Sequence, residues 1–235
     1  MNKDKPIFIA LDFADAQTTW HFLDQFSTQQ SLAVKVGMEL FYREGPQLII
    51  DLKARGYIVF LDLKLYDIPH TVGQATKNLA RLGIDYLTLH AAGGERMLSA
   101  AKAAIEVSNK QTKLLAITQL TSFTPDELQV TQQLAVSLEE SVVHLAQIAD
   151  HAGMDGVISS AFETKMIHQA TRKDFLSITP GIRLAGDDKG DQKRIVTPQQ
   201  ACANGADGIV VGRSITQATN PVAAYEKITK AFNEE

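Results

Sequence analysis

Three charged residues stand in a short run of otherwise apolar ones, Leu61-Asp62-Leu63-Lys64-Leu65-Tyr66-Asp67. A fourth, Lys35, interrupts the apolar run Ala33-Val34-Lys35-Val36-Gly37, and a fifth, Asp12, follows Ala10-Leu11. Alternation with period two puts Asp62 and Lys64 on one face of a strand and Leu61 and Leu63 on the other. An isolated charge inside a packed protein is very costly, so these groups must pair, and Lys35 is the natural partner of Asp62. Asp67 lies just past the strand, in a turn set by Pro69. A lysine ammonium held among carboxylates suits stabilisation of a developing negative charge and delivery of a proton. The plainer alternative is an ion-pair network that only fixes strand register. Such networks contribute little net stability and are replaceable by apolar residues, so a site is the better reading of charges alternating in sign.

Two further segments point to an anion. Thr179-Pro180-Gly181-Ile182-Arg183 and Val210-Val211-Gly212-Arg213-Ser214 each end an apolar run with glycine and arginine. Glycine lets backbone N–H groups approach an anion, and arginine offers forked donors that match phosphate oxygens. Taken singly, Gly212 is compatible with a simple turn and Arg213 with a surface cation. Thr118-Gln119-Leu120-Thr121-Ser122 ends another apolar run with hydroxyls that could read a heterocycle, although such residues more often cap turns. The six histidines show no metal spacing, and His90 is expected to be a hydrogen-bonded structural residue. No GxGxxG, P-loop or CxxC pattern occurs, and nothing calls for a cofactor or a metal ion.

These residues need elements to position them. Short β-rich runs at Ile7–Leu11, Leu32–Val36, Ile58–Leu63, Tyr86–His90, Lys113–Leu120, Gly156–Ser159, Phe175–Thr179 and Gly208–Val211 alternate with amphipathic stretches. The latter include Pro46–Arg55, His70–Leu82, Met97–Val107, Leu138–His151, Ala161–Thr171 and 221–232. Gly83-Ile84-Asp85, Gly153-Met154-Asp155 and Gly205-Ala206-Asp207 each separate a helical pattern from a strand, with glycine ending the helix. Strand–helix alternation implies parallel pairing. Eight strands without a break in composition predict one α/β domain over 1–235, a single (β/α)8 TIM barrel, rather than a doubly wound open sheet. Its active site belongs at the carboxyl ends of the strands, where the charges lie, with phosphate at the last two. The stretch 184–193, rich in Gly, Asp and Lys, is expected to be a mobile loop.

Composition agrees. The 235 residues suit one such barrel, and 45% hydrophobic with 21% charged residues is ordinary globular composition. A net charge of −4 gives no sign of nucleic-acid affinity, and no apolar run is long enough for a membrane span. Cys202 is the only cysteine, which fits a reducing, cytoplasmic setting.

The combination Asp62-x-Lys64-x-x-Asp67-Ile68-Pro69, Lys35-Val36-Gly37, Leu120-Thr121-Ser122, Pro180-Gly181-Ile182-Arg183 and Val211-Gly212-Arg213-Ser214 closely resembles the bacterial type of orotidine 5′-phosphate decarboxylase. The resemblance runs from Phe8 to the last helix. It implies decarboxylation of orotidine 5′-monophosphate to UMP and CO2, the last step of de novo UMP synthesis, without a cofactor. It implies that Lys64 donates a proton to C6, with Asp62 beside the departing carboxylate. Lys35 and Asp12 would bind ribose hydroxyls, and Thr121 the pyrimidine. Gln192, Arg213 and the backbone of Gly212 would hold the phosphate, with Arg183 beside the closing loop. Asp67 and Thr71 would cross a homodimer interface into the partner's site. Related phosphosugar enzymes share the Asp-x-Lys-x-x-Asp core, among them Mg²⁺-dependent keto-gulonate-phosphate decarboxylase and hexulose-phosphate synthase. A catalytically silent phosphate-binding barrel is the alternative of another class.

Overall fold

The computed structural model describes residues 5–26, 31–184 and 195–233. In the first half of the chain, β1 (Ile7–Ala10) leads to α1 (Ala16–Leu23), and β2 (Ala33–Gly37) to α2 (Met38–Glu44) and α3 (Pro46–Ala54). Then come β3 (Ile58–Leu65), α4 (Pro69–Ala80), β4 (Tyr86–His90) and α5 (Gly94–Glu106). The second half holds β5 (Lys113–Ile117), α6 (Pro125–Gln132), α7 (Leu138–His151), β6 (Gly156–Ile158) and α8 (Thr164–Ala170). It ends with β7 (Leu176–Thr179), α9 (Pro198–Ala203), β8 (Gly208–Val211), α10 (Arg213–Thr216) and α11 (Pro221–Asn233). Every strand pairs in parallel with its neighbour in sequence, and β1 also pairs with β8 through Phe8↔Val210. That last pairing closes the sheet and rejects the open doubly wound alternative.

The core has two layers, as strand alternation requires. Outward residues such as Ile9, Val34, Leu61, Leu87 and Val211 pack under the helices. Inward residues, including Phe8, Phe60, Leu115 and Ile178, fill the barrel. Phe8 meets Phe60 and Tyr86 edge to face, with ring centroids 5.2 and 5.1 Å apart. Phe60 and Tyr86 precede Asp62 and Thr88 by two residues, so this aromatic cluster is the floor beneath the charged strand ends.

Strand ends match expectation or differ from it by a single residue, except for two that differ by more. The fifth strand ends at Ile117 rather than Leu120, because the chain turns there: Gln119 donates to Gln132 on α6 and to Ser141 on α7, at 3.1 and 2.9 Å. The third strand continues to Leu65 through an irregularity, pairing Leu61 with Leu87 and next Leu65 with Leu89. Helix α6 was not anticipated, although Thr124-Pro125-Asp126-Glu127 carries its signal: a capping box between Thr124 and Glu127, with proline in the first turn. The expected loop at 184–193 falls, apart from Leu184, outside the described residues. Its base is fastened by a parallel bridge between Ile182 and Val196, with Arg183 N–H donating to Val196 O at 3.1 Å.

The three Gly-x-Asp junctions share one device at the amino-terminal end of the barrel. Glycine takes φ of +77°, +77° and +88° at Gly83, Gly153 and Gly205, which L side chains rarely adopt. The aspartate then accepts a backbone N–H of the preceding strand. Val59 donates to Asp85 at 2.7 Å, Leu114 to Asp155 at 2.8 Å and Ser177 to Asp207 at 2.8 Å. Each carboxylate also meets a side chain from the helix before that strand: Lys53, Lys102 and His168 respectively. Each clamp therefore ties one helix and two strands together. Asp155→Ala is expected to lower stability by about 1.5–3 kcal/mol, the range for a hydrogen bond to a charged group. A urea titration checks this, as a lower midpoint at an unchanged slope.

Candidate active site

A cleft of about 460 Å³ opens at the carboxyl ends of the strands. Asp62 is at its centre. Its Oδ2 lies 2.8 Å from Lys64 Nζ and 3.7 Å from Lys35 Nζ, and Lys35 in turn reaches Asp12 Oδ1 at 3.2 Å. The order Asp12–Lys35–Asp62–Lys64 alternates in sign across the ends of β1, β2 and β3; burial demands the pairing of Lys35 with Asp62, while Asp12 stays exposed. Gly37 keeps room for it, since a Cβ there would stand 3.2 Å from Lys35 Nζ.

Lys64 reaches this position through an unusual backbone. Its φ is +52°, in the left-handed region that costs a non-glycine residue about 1–3 kcal/mol. The strain coincides with the β3–β4 irregularity, where Asp62, Leu63 and Lys64 all stand opposite Thr88. The Thr88 hydroxyl accepts the Lys64 N–H at 2.9 Å and donates to Asp62 Oδ1 at 2.9 Å. Simple alternation pointed to the correct face for Lys64, but not to the bulge that delivers it.

The remaining lining divides by chemistry. Gln119, Leu120, Thr121 and Ser122 follow β5, while Pro180, Gly181, Arg183, Gly212 and Arg213 follow β7 and β8. Arg183 is buried, and its Nη1 donates to Ile182 O at 2.8 Å. Ile117, Ile158 and Val210 make an apolar stretch. Eight residues expected at the site line this one cleft: Asp12, Lys35, Asp62, Lys64, Thr121, Arg183, Gly212 and Arg213. Asp67 and Thr71 do not; both are exposed, and Asp67 Oδ1 accepts the N–H of Ile68 at 2.6 Å. Gln192 lies outside the described residues. Thr88, in the middle of β4, and Gln119, just past β5, were missed, because threonine and glutamine in such places carry no special signal. His90 differs from expectation. Among the described residues its ring makes no hydrogen bond and instead lies against Tyr66, centroids 5.6 Å apart.

The electrostatics follow from burial and pairing. Burial pushes the Asp62 carboxyl up, but the Lys35 and Lys64 ammoniums and the hydrogen bonds from Lys64 and Thr88 outweigh it, so its pKa is lowered. His90 is lowered by burial first and by the Lys64 charge second, against a smaller raising by Asp62. The array thus favours an ionised Asp62 and a neutral His90.

A closed eight-stranded parallel barrel whose carboxyl-end cleft holds a lysine–aspartate array at its centre defines a (β/α)8-barrel enzyme. Residues 5–228 match the model of the Orotidine 5′-phosphate decarboxylase / HUMPS family, and the chain belongs to that family. The orotidine 5′-phosphate decarboxylase of Oenococcus oeni (strain ATCC BAA-331 / PSU-1) is 53% identical over 229 residues, 97% of this chain and 99% of that protein. That of Staphylococcus aureus (strain Newman) is 50% identical over 230 residues, 98% and 99% of the two chains. The crystal structure of orotidine 5′-phosphate decarboxylase from Lactobacillus acidophilus superposes with a TM-score of 0.88 at 43% identity, covering 98% of this chain and 100% of that one.

Two shifted groups of the site make stability depend on acid in separate windows. The folded pKa of His90 lies below its ordinary 6.5, so the unfolded chain binds the extra proton first and stability falls as pH drops below 6.5. Asp62 is depressed below 3.8, so its contribution is present above that value and lost as pH falls through the folded pKa. Urea unfolding from pH 7 to 5 should show the first slope in the parent protein and a flatter one in His90→Asn. An equal slope in both would refute the assignment to His90.

Proposed function

We propose that this chain converts orotidine 5′-monophosphate to UMP and CO2, with Lys64 as proton donor. The observation that carries the reading is the Asp62–Lys64 pair at 2.8 Å inside a cleft whose far rim is Gly181, Arg183, Gly212 and Arg213. Relatives covering nearly the whole chain at about half identity bear the decarboxylase name, which favours it over the phosphosugar enzymes that share the core motif.

The chemistry follows from the residues. Breaking the C6–carboxylate bond leaves its electron pair in the ring plane, where the ring carbonyls delocalise it poorly. The developing carbanion needs a fixed positive charge nearby, and Lys64 supplies one in a preorganised site. The same ammonium then transfers a proton to C6, giving UMP, and recovers one from solvent. Asp62 keeps Lys64 oriented. Lys35 and Asp12 extend the array toward the ribose, and Thr121 meets the pyrimidine. Arg213, the Gly212 backbone and Gln192 take the phosphate, with Arg183 beside the closing segment, and the phosphate's binding energy is used away from the reacting carbon. The apolar stretch of Ile117, Ile158 and Val210 suits neutral CO2 better than a carboxylate.

The active form in this reading is a homodimer, with Asp67 and Thr71 entering the partner's cleft and the 184–193 segment closing over the phosphate. Their position outside their own cleft supports it, as do exposed Tyr66 and Ile68 beside Asp67 and exposed Met38 and Tyr42 on neighbouring α2. Among the described residues no helix is long and apolar enough to cross a membrane, and the single cysteine fits a cytoplasmic enzyme.

Purified protein should consume orotidine 5′-monophosphate, read as loss of orotate absorbance, at the same rate with and without EDTA. Lys64→Ala should lower kcat on the order of 10³-fold or more. No turnover by the parent protein would refute the function, a normal rate in Lys64→Ala the mechanism, and loss of activity in EDTA would favour a metal-dependent relative. Mixed Asp67→Ala and Lys35→Ala chains should recover activity neither has alone. Inactive heterodimers, once shown to form, would place Asp67 in its own subunit's site.

A further inference from the structure

Thr88 occupies a position that its sequence context makes look ordinary. It faces inward on β4, fully buried, between Leu87 and Leu89, which belong to the outer layer. Opposite it, β3 carries three residues where a regular ladder would carry one, since Leu61 pairs with Leu87 and Leu65 with Leu89. The bulge leaves the Lys64 N–H without a carbonyl across the ladder, and the Thr88 hydroxyl takes it instead at 2.9 Å. The single hydroxyl proton goes to Asp62 Oδ1 at 2.9 Å. Both roles of the hydroxyl are therefore used, one on the backbone of the lysine and one on the carboxylate that orients the lysine's ammonium.

We propose that Thr88 is a positioning residue for the decarboxylation, its hydroxyl fixing the strained Lys64 backbone and the Asp62 carboxylate in one mutual geometry. The inference rests on the function proposed above. With Oδ1 held by Thr88, Oδ2 is presented to Lys64 and Lys35. Removing the hydroxyl frees the carboxylate to turn about its last torsion and leaves a buried N–H without an acceptor. Lys64 Nζ would follow on both counts. Thr121, Arg183, Gly212 and Arg213 follow β5, β7 and β8 and share no hydrogen bond with Thr88, so they should stay in place. The defect should therefore fall on kcat rather than on KM.

Thr88→Val is close in shape but lacks the hydroxyl, whereas Thr88→Ser keeps it. Misplacement of reacting groups by about an ångström costs up to ~10²-fold, so Thr88→Val should lose roughly 10- to 100-fold in kcat with KM within about threefold. Thr88→Ser should stay within about threefold of the parent kcat, because the hydroxyl geometry survives. The acid limb of the kcat profile should also move to higher pH in Thr88→Val, since Asp62 loses a hydrogen bond that favours its ionised form. Circular dichroism and thermal midpoints establish that both variants are folded. If Thr88→Val does not fold, Thr88→Ala against Thr88→Ser makes the same comparison. A folded Thr88→Ser as impaired as the hydroxyl-less variant would overturn the proposal, since the methyl would then be what matters. Unchanged kcat and pH profile without the hydroxyl would overturn it equally. A parent protein inert towards orotidine 5′-monophosphate would overturn the underlying function and this inference with it, whereas an active parent isolates the fault to Thr88.

Discussion

A buried carboxylate cannot stay ionised alone, and Asp62 is where this chain meets that constraint. Two ammoniums and one hydroxyl converge on it: Lys64 and Lys35 on Oδ2, Thr88 on Oδ1. Removing either ammonium leaves the carboxylate's charge less compensated where little water reaches it. The requirement propagates outward. Lys35 needs Asp12 on its other side and Gly37 small beside it, and Lys64 needs a backbone turned into the left-handed region. The site is thus one electrostatic unit held on four adjacent strands, and its members are not separable contributions.

Such a unit is strained as well as charged, which places a demand on the scaffold. A non-glycine residue in the left-handed region persists only where its surroundings over-determine it. Here the surroundings are the aromatic floor of Phe8, Phe60 and Tyr86, one inward layer below, and a closed sheet without a free edge. The Gly-x-Asp clamps stand at the opposite end, stitching β3 to β4, β5 to β6 and β7 to β8. Stability devices and chemistry occupy different ends of the same strands. A change in one set therefore need not disturb the other, the division that lets barrels carry varied sites.

The legible part of the sequence was whatever burial forces into view. Charges inside apolar strands must pair, so Asp62 with Lys35 and Lys64 could be joined before any coordinates. The strand–helix count and the glycines at the junctions led to a closed barrel. What stayed hidden depends on contacts between distant segments. Leu63-Lys64-Leu65 alternates like a regular strand, and only the ladder to β4 reveals the bulge. Thr88 lies in Tyr86-Leu87-Thr88-Leu89, where threonine is simply a good strand former. At the junctions the glycine was read for its φ, while the aspartate two residues on, which accepts the neighbouring strand's N–H, passed unnoticed. Sequence pattern carries the fifth strand three residues too far because Thr118-Gln119-Leu120 has strand character, and the bonds from Gln119 to Gln132 and Ser141 that accompany the turn are tertiary.

Asp67 and Thr71 mark the boundary of what one chain can express. Asp67 follows Lys64 by three residues, yet the turn before Pro69 carries it out of the cleft, where its carboxylate closes on the next residue's N–H. A carboxylate that near the end of β3 could have completed the array from within the same subunit, had the strand run on. Instead the chain breaks into α4 and presents Asp67 among exposed Tyr66 and Ile68. Large apolar side chains beside a carboxylate are poorly served by water, and covering them would also desolvate the acid. In the dimer proposed above, a second copy entering there would put that acid against an ammonium that, among the described residues, it lacks in its own subunit. The same burial cost that organises Asp62 would then make assembly and catalysis a single event.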